Sequence, residues 1–203
     1  MRIAEIFHSI QGEGPAMGRQ ATFIRLAGCN LACQGCDTHL KSWVEQTPQW
    51  VLGEIQKERE TKRVVITGGE PTEQMSELSE LIALLRKDGI EIHIETNGTT
   101  IIPDEILEML FLVMVSPKRG SDNNLNYWTA KENVHLKFVI GDASWCWPPV
   151  QLERIMQSLP KERIWIMAFG TDPEMIIAKD AWDLALRLGV NYSDRLHIRL
   201  RRR

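Results

Sequence analysis

Residues 21–36 of the chain read ATFIRLAGCNLACQGC. The run 21–27 is largely apolar and has the length of a buried strand. Three of the four cysteines in the chain, Cys29, Cys33 and Cys36, follow this run within eight residues. Clustered cysteines in a reducing compartment indicate metal or redox chemistry more than disulfides. The stretch therefore predicts a buried strand with cofactor-binding cysteines at its carboxyl end.

Strand and helix patterns alternate along the rest of the chain. Repeated βα units predict a parallel sheet with right-handed crossovers. A closed eightfold barrel usually needs about 250 residues, so 203 residues predict an α/β fold that is an open partial (β/α) barrel of about six parallel strands. We expect a polar loop without a helix over 120–130 and a last strand over 196–200. The six strands are predicted to begin at Ala21, Arg63, Ile90, Phe111, Val134 and Arg163.

Composition limits the class of protein. The length predicts a single domain, 1–203, in which 1–20 form an N-terminal strand and loop. A net charge of −3 does not suit a general polyanion binder, so we expect no nucleic-acid partner. No run approaches the roughly 18 apolar residues of a membrane span, and the N-terminus lacks the apolar region of a signal peptide. We therefore expect a cytoplasmic protein without a membrane partner.

Polar signatures follow four successive predicted strands. They are the three cysteines, Thr67-Gly68-Gly69-Glu70-Pro71, Glu95-Thr96-Asn97-Gly98 and Ser116-Pro117-Lys118. The carboxyl ends of parallel strands share one edge of the sheet, and that edge carries the active site in barrels and open α/β sheets. The four signatures are therefore predicted to face one cavity.

The pattern Cys29-x₃-Cys33-x₂-Cys36 offers three thiolates on one short loop. They can bind three corners of a [4Fe-4S] cluster, whereas most such clusters have four cysteine ligands. An open fourth iron can bind the amino and carboxylate groups of S-adenosylmethionine. Electron transfer to the sulfonium would then release a 5′-deoxyadenosyl radical.

Two other interpretations of the cysteines remain. One is a structural zinc held by the three cysteines and His39, although this spacing is unusual for zinc and no second cysteine pair follows. The other is three buried thiols without a function. Cys146 lies far away in Trp145-Cys146-Trp147-Pro148, and we interpret it as a partly buried free thiol.

These residues resemble the radical S-adenosylmethionine superfamily. Its hallmarks are the strand that runs into Cys-x₃-Cys-x₂-Cys and the Gly-Gly-Glu-Pro turn one strand later. Within it, the chain is similar to the 7-carboxy-7-deazaguanine synthase family, with the best likeness over 1–140. The motifs that carry this likeness are FHSIQGEG at 7–14, Gly18, FIRL at 23–26, GCNL at 28–31 and CDT at 36–38.

The resemblance implies a reaction and its cofactors. The substrate would be 6-carboxy-5,6,7,8-tetrahydropterin, from which the adenosyl radical takes a hydrogen at C6. The ring would contract with loss of ammonia to give 7-carboxy-7-deazaguanine, a precursor of queuosine-type nucleosides. The implied cofactors are a [4Fe-4S] cluster, S-adenosylmethionine and Mg²⁺. The implied partners are an electron donor such as flavodoxin or ferredoxin and a second copy of the chain in a homodimer.

The resemblance also implies roles for individual residues. An arginine fork at Arg25 suits a carboxylate, and Gly12 lets the backbone approach a ligand closely. Thr38 would bind magnesium, with Asp37 as the alternative ligand. Substrate residues would be Ile10, Gln11, Gly12, Glu13, Arg25 and Thr67; cofactor residues would be Gly69, Glu70, Ser116, Pro117 and Lys118, besides Cys29, Cys33 and Cys36 for the cluster.

The chain departs from the family pattern in two places. Ala168-Phe169-Gly170 stands where a glutamine for the cofactor is expected, and the Gln-Thr-His stretch near the end is missing. On a final strand, His197, Arg199 and Arg201 would share one face, either to hold the substrate carboxylate or as a solvated basic tail. Two other functions stay open: a glycyl-radical-enzyme activase, and a zinc-stabilised binding module that is not an enzyme.

Overall fold

One sheet organises the structure, a computed structural model that describes residues 1–36, 38, 42–57, 62–170 and 177–202. The sheet has nine strands in the described part of the chain. The strands are β1 (Arg2–Ile10), β2 (Gln20–Leu26), β3 (Val44–Glu45), β4 (Arg63–Gly68), β5 (Glu91–Thr96), β6 (Leu112–Val115), β7 (Val134–Ile140), β8 (Ile164–Ala168) and β9 (Asn191–Ser193).

The strand order is β3-β1-β2-β4-β5-β6-β7-β8-β9, with β3 and β9 at the edges. All neighbouring pairs from β2 to β9 are parallel, whereas β1 runs antiparallel to both β2 and β3. The six predicted parallel strands are confirmed as β2 and β4 to β8, and the open partial barrel is confirmed with them. The short β9 adds a seventh parallel strand that the sequence analysis did not predict.

Helices cover the sheet and bury regularly spaced apolar side chains. In helix α2 (Met75–Lys87), for example, Leu78, Leu81, Ile82 and Leu85 are fully buried, a spacing that places them on one helix face. No helix among the described residues is long and apolar enough to cross a membrane. The helices are α1 (Pro48–Lys57), α2 (Met75–Lys87), α3 (Asp104–Leu107), α4 (Leu125–Thr129), α5 (Pro149–Ile155), α6 (Ile177–Leu188) and α7 (Leu196–Arg199).

Two predicted elements were wrong, and tertiary contacts explain both. The segment 120–130 contains α4, because Trp128 is fully buried and its Nε1 donates to the carbonyl of Gly98 at 2.9 Å. The predicted last strand over 196–200 is the short helix α7. Its first amide, Leu196 N, donates to the carbonyl of Gly12 at 2.9 Å, which fixes the segment against the N-terminal part of the chain.

The register of the parallel strands brings their carboxyl ends together. Arg25 in β2 lies opposite Thr67 in β4, and Glu95 in β5 lies opposite Met114 in β6. The polar signatures that follow these strands are consequently neighbours at one edge of the sheet.

Candidate active site

A cavity of about 250 Å³ opens at the carboxyl edge of the parallel strands. Strands β2, β4, β5, β6, β7 and β8 all contribute to its wall, either directly or through the loops that follow them. Of the residues predicted to form the site, Glu70 and Pro117 do not line the cavity. Those that line it are Ile10, Gln11, Gly12, Glu13, Arg25, Cys29, Cys33, Cys36, Thr38, Thr67, Gly69, Ser116 and Lys118.

The cysteine loop, residues 27–36, presents its three thiols at the cavity. Cys29 is exposed, whereas Cys33 and Cys36 are half-buried, and none of them forms a disulfide. The amide of Leu31 donates to Cys29 Sγ at 3.4 Å, and the amide of Cys36 donates to the carbonyl of Cys33 at 3.2 Å. The loop is thus folded on itself with its thiols free to bind a metal.

The donor set suits an iron–sulfur cluster. Burial raises the pKa of the Cys33 thiol, and the Lys118 ammonium opposes that rise, so a cation is at hand to favour the thiolate that metals bind. Among the described residues, no three His, Cys, Asp or Glu side chains are grouped around one metal position. Three thiolates on a cubane bind three different irons and need no such common centre. His39, the fourth ligand of the zinc interpretation, and Asp37 lie outside the described residues.

The Gly68-Gly69 turn packs directly against the start of the cysteine loop. A Cβ on Gly69 would meet the carbonyl oxygen of Gly28 at 1.7 Å, and one on Gly68 would meet that of Leu26 at 2.2 Å. The amides of Gly69 and Glu70 donate to the carbonyls of Leu26 and Gly28 at 2.9 and 2.8 Å. The glycines are therefore required for contact between two protein backbones, whether or not a ligand also approaches them.

The Glu70 carboxylate lies behind the cavity wall. Its side chain is fully buried, and Oε1 accepts from the Thr72 amide, the Thr72 hydroxyl and the Thr96 hydroxyl at 3.1, 2.8 and 2.7 Å. Oε2 accepts from the Asn97 amide at 2.6 Å. Glu70 thus joins the turn after β4 to the turn after β5, and its side chain is engaged by protein donors.

Ser116 and Lys118 line the part of the cavity that contains the cysteine loop, the predicted cofactor half, and Pro117 lies between them in sequence. Lys118 Nζ donates to the carbonyl and hydroxyl oxygens of Ser116 at 2.9 and 2.7 Å, and it lies 5.0 Å from the centre of the Trp145 ring. The carbonyl of Pro117 accepts from Trp147 Nε1 at 2.7 Å. Pro117 consequently anchors the turn, while Ser116 and Lys118 line the cavity.

Trp145 is a cavity residue that the sequence analysis did not assign to the site. Its Nε1 donates to the carbonyl of Gln34 in the cysteine loop at 2.8 Å, and its ring packs edge-on against Phe169 at 5.2 Å. Gly35, with φ of +71°, lies so close to Phe169 that a Cβ would meet the ring at 2.9 Å. Two aromatic rings from other loops therefore support the tip of the cysteine loop.

Cys146 is separate from this site. It is buried in a small apolar cluster with Val139 and Met167 and does not line the cavity. Burial raises the pKa of its thiol to about 11, so it stays protonated at neutral pH. This placement agrees with its interpretation as a free thiol, although it is more deeply buried than expected.

The part of the cavity that contains Gln11 and Glu13, the predicted substrate half, is built around two carboxylates, Glu13 and Glu95. Glu95 accepts from Gln11 Nε2 at 2.9 Å and from the Thr67 hydroxyl at 2.9 Å. The amide of Glu13 donates to Gln11 Oε1 at 3.1 Å, which fixes the amide orientation of Gln11. The predicted substrate residues Gln11, Glu13 and Thr67 are therefore brought together by Glu95, a residue to which we assigned no role from the sequence.

Glu13 carries the strongest electrostatic interactions of the site. It forms ion pairs with Lys137 and, at 3.1 Å, with Arg195. Burial would raise its pKa, but the charges of Lys137 and Arg195 outweigh that effect and lower the pKa of Glu13 to about 2. Sequence reasoning missed both cations. The available signal was Lys137 itself, a lysine within the otherwise largely apolar strand VHLKFVI.

Arg25 lies between the two halves of the cavity. Its Nη1 approaches the hydroxyl of Thr38 at 3.4 Å, and its Nε lies 3.9 Å from Glu5. The guanidinium is also 5.7 Å from the centre of the Phe7 ring. The long contact with Glu5 and the partial exposure of the side chain, 26%, leave the guanidinium able to reach a ligand carboxylate.

The basic residues near the C-terminal end do not share one strand face, contrary to expectation, because they lie on and around α7. His197 lines the cavity and packs on Gly12, where a Cβ would meet His197 Nδ1 at 2.2 Å. Arg199 Nε pairs with Asp194 at 2.7 Å, and Arg201 is exposed. The interpretation as a uniformly solvated tail is wrong for His197 and Arg199.

Comparisons with known proteins place the chain in a family. Residues 23–135 match the model of the radical SAM superfamily. The 7-carboxy-7-deazaguanine synthase of Hyperthermus butylicus is 32% identical over 219 residues, covering 98% of this chain and 92% of the relative. That of Methanospirillum hungatei is 37% identical over 186 residues, covering 87% and 76%.

The fold has a solved counterpart. The crystal structure of QueE from Escherichia coli superposes with a TM-score of 0.71 at 24% sequence identity, over 97% of this chain and 94% of that one. The sequence match to the Hyperthermus butylicus relative extends over nearly the whole length of both chains. The chain therefore belongs to the radical SAM superfamily and, within it, to the 7-carboxy-7-deazaguanine synthase family.

Proposed function

We propose that the chain converts 6-carboxy-5,6,7,8-tetrahydropterin into 7-carboxy-7-deazaguanine and ammonia. The names of its relatives give the product, and the family resemblance implies the substrate and the loss of ammonia. The observation that carries the proposal is a single cavity bordered at once by the three cysteines and by Gln11 and Glu13. A cofactor that generates a radical and a polar heterocycle can therefore occupy one space, as a radical reaction on that heterocycle requires.

Membership of the radical SAM superfamily implies a [4Fe-4S] cluster and S-adenosylmethionine. Cys29, Cys33 and Cys36 would hold the cluster. When bound, the two groups supply a 5′-deoxyadenosyl radical. Ser116 and Lys118 would bind the carboxylate or ribose of S-adenosylmethionine, and their place in the wall of the cavity that also contains the cysteines supports this role. Gly69 also lines the cavity, and Glu70 with Pro117 would act by holding the two turns in place.

The substrate half offers groups that match a pterin with a carboxylate. Gln11 and the ionised Glu13 present hydrogen-bond partners for the ring edge, next to the backbone of Ile10 and Gly12. Thr67 lines the same cavity and donates to Glu95 at 2.9 Å. Arg25 is proposed to bind the carboxylate of the substrate through a charge-assisted hydrogen bond. These residues orient the ring and exclude water from it.

Magnesium is proposed to bind at Thr38 together with the substrate. The Thr38 hydroxyl lies at the cavity, 3.4 Å from Arg25 Nη1. Mg²⁺ takes about six oxygen ligands and keeps several waters, so one neutral hydroxyl cannot hold it. Oxygens of the substrate would complete the shell.

The cellular location, the electron donor, the domain organisation and the oligomeric state are also part of the proposal. Three free thiols on one loop suit a reducing compartment, which supports a cytoplasmic location. An electron donor such as flavodoxin or ferredoxin would reduce the cluster. We further propose one domain over 1–203 and a homodimer, neither of which enters the chemistry described above.

Anaerobic turnover of the reconstituted protein tests the proposal. Carboxytetrahydropterin, S-adenosylmethionine, Mg²⁺ and a reductant should yield 7-carboxy-7-deazaguanine, identified by absorbance and mass. Absence of this product from a protein that cleaves S-adenosylmethionine would favour the alternative of an activase for a glycyl-radical enzyme. Zinc in place of iron and sulfide after anaerobic purification would favour the binding module.

A further inference from the structure

Lys137 is a buried cation in the wall of the cavity, and the proposed function gives it no role. It lies in the middle of β7, its side chain is 6% exposed, and its neighbours Leu136 and Phe138 belong to the core. A lysine is almost never buried so completely unless it is paired. Its partner is Glu13, which is contributed by the N-terminal loop 124 residues earlier.

Glu13 is held from two sides. Lys137 Nζ donates to its Oε2, and Arg195 Nε donates to its Oε1 at 3.1 Å. Arg195 is itself fixed, because it also donates to the carbonyl of Gly170. A carboxylate has about four acceptor sites, so these contacts leave capacity for further donors on a side chain that lines the cavity.

The charges around Glu13 keep it ionised. The facing groups are Lys137 on β7, Arg195 before α7, and His197 Nε2 at 4.0 Å from Oε1. Glu95 on β5 affects Glu13 indirectly, because it helps to keep Lys137 charged. Burial would lower the pKa of Lys137, but Glu13 and Glu95 raise it above its usual value. Without a cation beside it, the buried Glu13 would tend to take up a proton.

An ionised carboxylate only accepts hydrogen bonds, whereas a protonated one also donates. We propose that Lys137 and Arg195 are positioning residues that keep Glu13 ionised and oriented as an acceptor, so that the cavity selects a heterocycle with an N–H donor edge. The amino–amide edge of a pterin has that pattern. The inference rests on the proposed function and adds the residues that set its specificity.

Equilibrium binding of 6-carboxypterin, a stable fluorescent analogue, to the reconstituted holoenzyme tests the inference between pH 5 and 8. At pH 7, Lys137→Met should weaken binding of 6-carboxypterin by roughly tenfold or more. This factor corresponds to the loss of one hydrogen bond between the ligand and the charged Glu13. The deficit should grow as the pH falls, because the buried Glu13, with Arg195 but not Lys137 beside it, takes up a proton at higher pH than in the wild type. Lys137→Arg should restore most of the affinity. The matched surface control, Lys57→Met, should bind like the wild type, since Lys57 is largely exposed and pairs with Glu54 on the same helix.

A second variant separates positioning from folding. Removal of one partner of a buried ion pair can prevent folding. Lys137→Met combined with Glu13→Gln removes both members of the Lys137–Glu13 pair, while the amide oxygen introduced at position 13 and the carbonyl of Gly170 can still accept from Arg195. The double variant should fold, retain its cluster and still bind 6-carboxypterin poorly. Wild-type affinity and pH dependence in a folded Lys137→Met or double variant would overturn the inference alone. Absence of binding by the wild type would overturn the proposed function and, with it, this inference.

Discussion

The cysteine loop and the N-terminal loop, residues 11–19, border the same cavity, yet different forces hold them. The cysteine loop is fixed by backbone hydrogen bonds to Gly69 and Glu70 and by one indole donor, Trp145. The N-terminal loop is fixed by ion pairs from Glu13 to residues 124 and 182 positions away in sequence. The cysteine loop therefore depends on hydrogen bonds between neutral groups, and the N-terminal loop depends on buried charge.

The largest effect is expected from the thiols. Alanine at Cys29, Cys33 or Cys36 should abolish both the cluster and cleavage of S-adenosylmethionine, because each thiolate would hold one corner. Iron and sulfide content and 5′-deoxyadenosine formation measure the two losses. Cys146→Ala is the matched control and should preserve both, since Cys146 lies outside the cavity. A cluster that depends on Cys146 would contradict the open-iron arrangement.

Arg25→Ala should damage the substrate half alone. Loss of a charge-assisted hydrogen bond costs about 1.5–3 kcal/mol, so the affinity for the carboxytetrahydropterin should fall ten- to a hundredfold or more. Cleavage of S-adenosylmethionine without substrate should survive. Arg86→Ala, at an exposed position of α2, should change neither quantity. Equal loss of binding and cleavage would instead assign Arg25 a structural role.

Glu70→Gln should destabilise the cofactor half through folding. The amide nitrogen would face donors that now bind the Glu70 carboxylate, and an unsatisfied buried group costs about 1–3 kcal/mol. Urea unfolding of the cluster-free protein should show this decrease in the free energy of unfolding. Glu73→Gln, at an exposed neighbouring position, should be neutral. A stable Glu70→Gln variant that fails only to bind S-adenosylmethionine would mean that the carboxylate contacts the cofactor.

Thr38→Ala should lower turnover several-fold and raise the magnesium concentration needed for half-maximal rate. Thr38→Ser keeps the hydroxyl and should be mild. Titration of Mg²⁺ with and without substrate checks the shared coordination shell. Tight magnesium binding to the substrate-free protein, or full activity in a chelator, would show that the proposed shell is wrong.

The smallest effect is expected from Trp145→Phe, which keeps a ring but removes the hydrogen bond to Gln34. A neutral hydrogen bond contributes about 0.5–1.5 kcal/mol. Iron release to a chelator should accelerate by a few-fold, while binding of 6-carboxypterin stays unchanged. Weakened pterin binding would show that the two halves are coupled more closely than their separate contacts indicate.

The contrast between patterns within one continuous segment and contacts between distant residues explains what could be predicted from the sequence. The parallel strands and the cysteine loop follow from short-range patterns, because the apolar runs and the Cys-x₃-Cys-x₂-Cys spacing lie in continuous segments. Neither Lys137 nor Arg195 has a neighbour in sequence that reveals its partner. Only the fold brings them to Glu13.

Short helices were missed for a related physical reason. With four residues in α7 and five in α4, neither is long enough for intrinsic propensity to decide its state. Contacts with distant carbonyls, from Trp128 to Gly98 and from Leu196 to Gly12, stabilise them. A pattern within a short segment of sequence does not reveal such contacts.

The contact between the N-terminal loop and the segment before α7 bears on how the protein is made. Gly14 N donates to Ser193 Oγ across 179 residues, and Arg195 reaches Glu13 across 182. Protein synthesis proceeds at about 5–20 residues per second, so the N-terminal loop emerges from the ribosome many seconds before its partners. During translation, β2 and β4 can already pair, whereas Glu13 cannot form both of its ion pairs until Lys137 and Arg195 have been synthesised. The side of the cavity that contains Glu13 is thus completed last, and a nascent chain that stalls before residue 193 carries the cysteine loop without the finished Glu13 side.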